Sequence, residues 1–315
     1  MRVVSAADID RVLDAPAVAD ALAAAFRSDI VTPTRHHHEI ERGAVHPTLL
    51  LMPAWTSATE QDGYLGVKVV TIYPENGAKN VPSVLGTYLL MRGDTGEPIA
   101  ALDGTRLTSW RTAAASALAA RHLARDDASV MTMVGAGSLA PFLIRAHLAE
   151  RPIRRVLLWN HRPEKAQALA HDLRDAGFPV EATEDLEAAV RGSDIVSCAT
   201  LSRQAIVRGD WLRPGAHLDL VGAFNLSMRE ADDEAVQRAS VFVDTRFALT
   251  EGGDVALALK AGAITEAHVR GDLFDLCRGS AAGRRDAAEV TLFKSVGTAI
   301  EDLAAAMLVW RRLPG

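Results

Sequence analysis

The chain is 315 residues long, 49% of them apolar, with 34 basic and 40 acidic residues for a formal net charge of -6. That length accommodates two domain cores, and the acidic balance excludes a polycationic surface for nucleic acid or an anionic membrane, leaving small molecules as the expected partners. The two cysteines, Cys198 and Cys277, fall outside any CxxC spacing, which argues against a disulfide framework or structural zinc and for a reducing, cytoplasmic compartment.

The opening MRVVSAADIDRVLDAPAVADAL reads as a short strand and then one helix, capped by Ser5 or Asp8 and apolar at helical spacing through Phe26. Asp8, Asp10 and Asp14 interrupt any secretory apolar core, and no uncharged run reaches membrane-spanning length. TPTRHHHE carries Arg35 and the histidines His36, His37 and His38. Consecutive side chains of an extended segment point to opposite faces, so this run, with Glu39 and His46, reads as solvated or strand-pairing and no metal site is expected. From Thr48 to Leu90, Val-, Leu-, Tyr- and Thr-rich segments punctuated by Pro, Gly and Asn predict consecutive strands of an antiparallel sheet. Lys68 lies inside one of these apolar strands, where its ammonium must reach a partner, water or a ligand. A turn at Asp94 to Gly96 and one more strand lead to an alanine-rich helix predicted to start near Thr108 or Ser109. Arg111 and Thr112 then sit near its start, where the dipole disfavours a cation unless an anion is present to be bound.

After Arg125 the segments SVMTMVGAG, a helix through His147, RRVLLWN, EKAQALAHDLRDAG, PVEAT, EDLEAAVRG, SDIVSCAT, AHLDLVGA and SVFVDTR alternate strand with helix. That rhythm predicts an α/β fold with a Rossmann-type, doubly wound parallel sheet. The tail from Val290 to Trp310 reads as one long helix returning to the first domain, which makes that domain discontinuous: residues 1–120 and 295–315 in one, 121–294 in the other.

VGAGSLA follows a predicted buried strand and opens a predicted helix, the context that gives a glycine turn its meaning. Gly135 permits the tight turn, Gly137 leaves room for a pyrophosphate, and Ala140 is the third small position, where helix and strand pack closely. A plain strand-to-helix turn is the alternative. At the tip of the next strand stand Asn160, His161 and Arg162 in place of an acid, which points to NADPH over NADH unless Arg162 is simply a solvated arginine at a helix start. Hydride transfer to a charged small molecule needs fixed positive groups, for which Arg35, Lys68 and Arg111 are the candidates.

LGVKVVTIYPENGAKNVPSVLGTYLL, TGEPIAALDGTRLTSWRTAAASALAARHLA, the VGAGSLA turn and FKSVGTAIEDLAAA together resemble the ornithine cyclodeaminase and mu-crystallin family over the whole chain. LVGAFNLSMREADDEAV followed by VFVDTR is similar to its Δ1-pyrroline-2-carboxylate, or cyclic ketimine, reductase branch. The resemblance implies a Rossmann domain for NADPH or NADH and an α+β domain, built from both chain ends, that binds substrate and forms a homodimer. It implies substrate contacts for Arg35, Lys68, Arg111 and Ser83, with Lys68 also catalytic. Cofactor contacts fall to Arg111, Thr112, Gly135, Gly137, Ser138, Leu139, Asn160, His161, Arg162 and Lys294. One departure matters. The cyclodeaminases place a catalytic aspartate where this chain has Phe224, which can handle neither an amino group nor a water and serves instead as an apolar wall. Asp219, three residues before the glycine, belongs to the strand. The expected reaction is reduction of a cyclic imino acid to L-proline or L-pipecolate, a step of proline metabolism and hydroxyproline degradation. An ornithine cyclodeaminase or amino-acid dehydrogenase on the same scaffold, or a non-catalytic NADP-binding crystallin-like protein, are the alternatives.

Overall fold

The computed structural model describes residues 1–42, 46–57, 63–79 and 81–314. Contacts divide the chain into two compact units, Met1–Thr112 with Thr298–Gly315, and Ala113–Gly297.

The first unit starts with β1 (Arg2–Val4), α1 (Ala6–Val12) and α2 (Ala15–Arg27). The single helix expected through Phe26 is therefore two. Ser5 and Asp8 form a reciprocal capping box on the first, and the chain leaves helical geometry at Leu13 so that the Asp14 side chain can cap the second ahead of Pro16. β2 (His36–Glu39), β3 (Thr48–Trp55), β4 (Tyr64–Ile72), β5 (Val84–Arg92) and β6 (Pro98–Asp103) complete a sheet in the order β1-β6-β5-β4-β3-β2. β2 through β6 pair antiparallel with their neighbours, as the alternation predicts, while β1 joins β6 in parallel. α3 (Gly104–Leu123) begins four residues before Thr108, because the Asp103 carboxylate accepts the Arg106 amide at 2.8 Å and caps the helix there.

The second unit holds β7 (Val130–Val134), α4 (Ala140–Glu150), β8 (Arg155–Trp159), α5 (Pro163–Asp175), β9 (Val180–Ala182), α6 (Leu186–Gly192) and β10 (Ile195–Cys198). There follow β11 (His217–Leu220), α7 (Asp233–Arg238), β12 (Ser240–Val243), α8 (Ala248–Glu251), α9 (Gly253–Lys260), β13 (Val269–Asp272), α10 (Leu273–Arg278) and β14 (Thr291–Lys294). All eight strands are parallel, in the order β13-β12-β14-β11-β10-β7-β8-β9. This is the expected doubly wound sheet, and its strand order reverses between β7 and β10, the kind of switch point at which such sheets bind ligands. Val196, Leu218, Leu220, Val241 and Leu292 are buried in its core. Asp219 does lie in β11, fully buried, accepting hydrogen bonds from Ser116 at 2.9 Å and Ser197 at 2.6 Å, with His147 Nε2 at 3.2 Å.

The tail is not one helix. Residues 291–294 form β14, the Asp244 carboxylate accepts the Val296 and Gly297 amides, Gly297 turns with φ +78°, and only then does α11 (Ala299–Arg312) begin. The alternating VTLF segment suits a buried strand, and a positive φ cannot continue a helix. α11 packs on α2 and on β3, β4 and β5 of its own unit. The sheet face beneath it buries Met52 and Ala54 of β3, Gly66, Lys68 and Val70 of β4, and Tyr88 and Leu90 of β5. The opposite face presents rows such as Leu51, Val69 and Thr87, with Val3 and Leu85 exposed.

Candidate active site

Lys68 stands in register between Met52 and Tyr88, so its side chain points toward α11. It is 2% exposed and Arg111 6%. An isolated buried ammonium would be prohibitively costly, and the sequence answers with Glu301 and Asp302, adjacent acids in the first turn of α11, where the helix dipole favours them. Lys68 Nζ donates to Asp302 Oδ1 at 2.9 Å, lies 2.8 Å from Oδ2, and reaches Thr108 Oγ1 at 3.4 Å. Arg111 donates from Nε to Asp302 Oδ1 at 3.0 Å and from Nη1 to Glu301 Oε2 at 2.7 Å. Burial first, and then repulsion from Arg111, lowers Lys68 to about 8 against the pull of Asp302. Burial, helped by Asp302, raises the Tyr88 phenol well above its usual range.

The structure thus brings Lys68 and Arg111 together on shared carboxylates. It also corrects the reason given for Arg111: with α3 starting at Gly104, Arg111 and Thr112 lie about two turns inside the helix, and the anions that balance Arg111 come from α11. Arg35, half-buried, immediately precedes β2, whose first residue His36 pairs with Leu51. That register carries it toward the row of Met52 and Lys68, two strands or about 10 Å from Lys68. Ser83 sits just before β5, five residues from Tyr88 and so about 17 Å along the strand from the cluster. Glu301, Asp302, Thr108 and Tyr88 escaped sequence reasoning. The available signal was the acid pair in AIEDLAAAMLVW: two carboxylates in an otherwise buried helix demand cationic partners.

In the second unit Gly135 adopts φ +109°, and a Cβ there would stand 2.6 Å from the Ala199 carbonyl oxygen. Only glycine meets both constraints. At Gly137 a Cβ would meet nothing within 4 Å. Asn160 Oδ1 accepts the Ala136 amide at 3.3 Å and Trp159 O accepts the Gly135 amide at 2.8 Å, so the tip of β8 braces the turn. Among the described residues the amides of Gly137, Ser138 and Leu139 have no protein acceptor, and α4 has no side-chain cap. Three free amides at the start of an 11-residue helix, over open space, fit the pyrophosphate of a dinucleotide. His161 and Arg162 are exposed beside this turn, Arg162 Nε lying 3.2 Å from His161 Nε2.

Lys294 is placed differently. Its ammonium is fully buried, 3.4 Å from Asp254 Oδ2 and donating to Leu220 O at 3.2 Å. Glu230, another residue the sequence reading passed over, binds the loops after β10 and β11 together: its carboxylate accepts Thr200 N at 2.6 Å, Thr200 Oγ1 at 2.9 Å, Gly222 N at 2.7 Å and Ala223 N at 3.3 Å. Burial, with Asp254 nearby, raises Glu230 to about 7. Phe224, 36% exposed, follows directly on the loop so fixed.

Strand order and turn define a doubly wound α/β protein with a dinucleotide-type turn. The chain belongs to the ornithine cyclodeaminase/mu-crystallin family, whose profile matches residues 1–315. It is 40% identical over 293 residues to Delta(1)-pyrroline-2-carboxylate reductase of Paracoccus denitrificans, covering 92% of each chain. Among solved structures it is similar to Thermococcus litoralis Delta(1)-pyrroline-2-carboxylate reductase in complex with NADH and L-proline, at 34% identity and TM-score 0.92, covering 99% of this chain and 97% of that one. An archaeal alanine dehydrogenase dimer with bound NAD is 28% identical at TM-score 0.90, covering 99% and 95%.

Proposed function

We propose that the chain is an NAD(P)H-dependent reductase of cyclic imino acids, converting Δ1-pyrroline-2-carboxylate, or its six-membered homologue, to L-proline or L-pipecolate. The observation that carries this reading is the pair of buried cations, Lys68 and Arg111, held on one unit to receive a carboxylate. The similarity to reductases of this name supports it. The ring carboxylate is gripped by Lys68 and Arg111, with Arg35 at the margin, while Ser83, about 17 Å along the strand, stands outside that grip. Lys68 also holds a proton at Nζ, close enough in acidity to exchange it near neutral pH. A bound dihydronicotinamide would supply the hydride to the C=N carbon, and the ring nitrogen would take the proton that Lys68 gives up. The turn at Gly135, Gly137, Ser138 and Leu139 holds the pyrophosphate, Asn160 fixes that turn, and His161 and Arg162 favour the 2′-phosphate of NADPH over NADH. Arg111 and Thr112 near the phosphates remain part of the family expectation, whereas the Lys294 ammonium acts from within, by bracing Asp254. Phe224 offers no carboxylate for deamination.

In this reading the first unit binds substrate and the second binds the dinucleotide. A second copy of the chain covers the apolar sheet face that carries Val3, Leu51, Val69 and Leu85, giving a homodimer. Two cysteines far apart in sequence, Cys198 and Cys277, suit a cytoplasmic enzyme of proline metabolism, hydroxyproline degradation included. The test is to mix the protein with synthetic Δ1-pyrroline-2-carboxylate and NADPH and follow dihydronicotinamide absorbance. Tight cofactor binding with no oxidation by any ketimine would overturn the reading, and ammonia released from ornithine would replace it with cyclodeamination. Light scattering on the purified chain tests the dimer.

A further inference from the structure

We propose that Asp302 is the positioning residue of this site, clamping the Lys68 ammonium and the Arg111 guanidinium into one arrangement from the first turn of α11. The inference rests on the reductase reading for what the two cations grip, and it stands on geometry that reading does not use. Asp302 touches both cations with one oxygen: Oδ1 takes Lys68 Nζ at 2.9 Å and Arg111 Nε at 3.0 Å. Glu301 takes the far end of the guanidinium, Nη1 at 2.7 Å. The anchor is rigid, since α11 is buried from Ala299 through Met307 and again at Val309, so its first turn cannot rotate to follow a wandering side chain. Lysine, by contrast, is a point charge on a flexible stem, and its direction is whatever its acceptors impose. Asp302 and Thr108 engage the ammonium, leaving an N–H for a ligand carboxylate.

The charge balance makes the same residue decisive. The groups facing Lys68 are Arg111 from α3, Asp302 and Glu301 from α11, and the Tyr88 phenol from β5, which together with Lys68 give two positive and two negative charges. Removing the Asp302 charge leaves two buried cations against one carboxylate already bonded to arginine. Arginine does not release its proton, so Lys68 must. A neutral amine neither holds a carboxylate nor carries a proton to the ring nitrogen. Asp302 thereby sets both where the ammonium points and whether it is charged.

The experiment compares wild type with Asp302→Asn and Asp302→Glu. Lysine is labelled with carbon-13 and the Lys68 Cε resonance, assigned by its loss in Lys68→Arg, is titrated in each; kcat/KM for the ketimine is then recorded against pH. In Asp302→Asn the Lys68 titration and the alkaline limb of kcat/KM are expected to move together to lower pH by about one unit or more. Activity at neutral pH should fall about a hundredfold, as for a reacting group displaced by about 1 Å. Asp302→Glu retains the charge and shifts its position: the Lys68 titration stays near wild type while the KM for ketimine rises. It serves alone if the asparagine variant does not fold. An unmoved Lys68 titration in Asp302→Asn, or a wild-type KM in Asp302→Glu, overturns the proposal. A wild type that reduces no ketimine defeats the reductase reading instead, and the resonance titration still decides the clamp.

Discussion

The two glycines of the mid-chain turn have different tasks, and replacing each by alanine separates them. At Gly135 an alanine must hold φ +109° and bring its Cβ to 2.6 Å from the Ala199 carbonyl oxygen. Backbone strain of about 1–3 kcal/mol and overpacking of about 1–3 kcal/mol give a loss of roughly 2–6 kcal/mol. At Gly137 the new methyl meets nothing within 4 Å. There the fold loses nothing, and the restricted unfolded chain adds about 0.4–1 kcal/mol of stability if the native backbone suits alanine. On the proposed assignment the ligand does meet that methyl, since the pyrophosphate would approach the amides of Ser138 and Leu139 past Gly137; NADPH affinity is expected to fall roughly tenfold or more. Urea unfolding followed by tryptophan fluorescence, with NADPH titrations on the same samples, measures both quantities. A Gly137→Ala protein that binds NADPH like wild type, or one destabilised as much as Gly135→Ala, would refute the assignment of phosphates to this turn.

Three further outcomes are expected. Arg162→Ala narrows the preference for NADPH over NADH by roughly ten- to a hundredfold, the worth of a charge-assisted hydrogen bond, and an unaltered ratio of the two Kd values removes Arg162 from the cofactor site. His217 Nδ1 lies 3.0 Å from Thr291 Oγ1 while its Nε2 has no partner among the described residues, and burial takes its pKa from 6.5 to about 3. Between those values the unfolded chain binds a proton that the folded chain lacks, so stability is lost as pH falls through this window, by roughly 1 kcal/mol per pH unit; His217→Gln should flatten that acid limb in urea midpoints. Glu230→Gln leaves the Thr200, Gly222 and Ala223 amides to share one oxygen, and hydrogen exchange at these amides should quicken while that of the β7 core stays slow.

Much of the architecture was legible because its signals are local. Parallel strands buried on both faces read as apolar runs, and the glycine turn lies between such a run and a helix. The boundaries that failed depend on side chains reaching back to the backbone: Asp14 and Asp103 capping helices, and Asp244 ending β14 with two amides. Lys68 and Arg111 drew attention as charges in apolar surroundings, but their partners lie 234 and 191 residues away, beyond what periodicity can reach. Lys294 shows the converse limit, since a position inferred from resemblance says nothing about which way an ammonium turns.

The Glu230 latch has an evolutionary corollary. The amides of Gly222 and Ala223 are held by a carboxylate eight and seven residues downstream, while the side chain at position 224, 36% exposed, takes no part in those bonds. An exchange of phenylalanine for an acid there, or the reverse, leaves the carboxylate latch and the amides it holds in place.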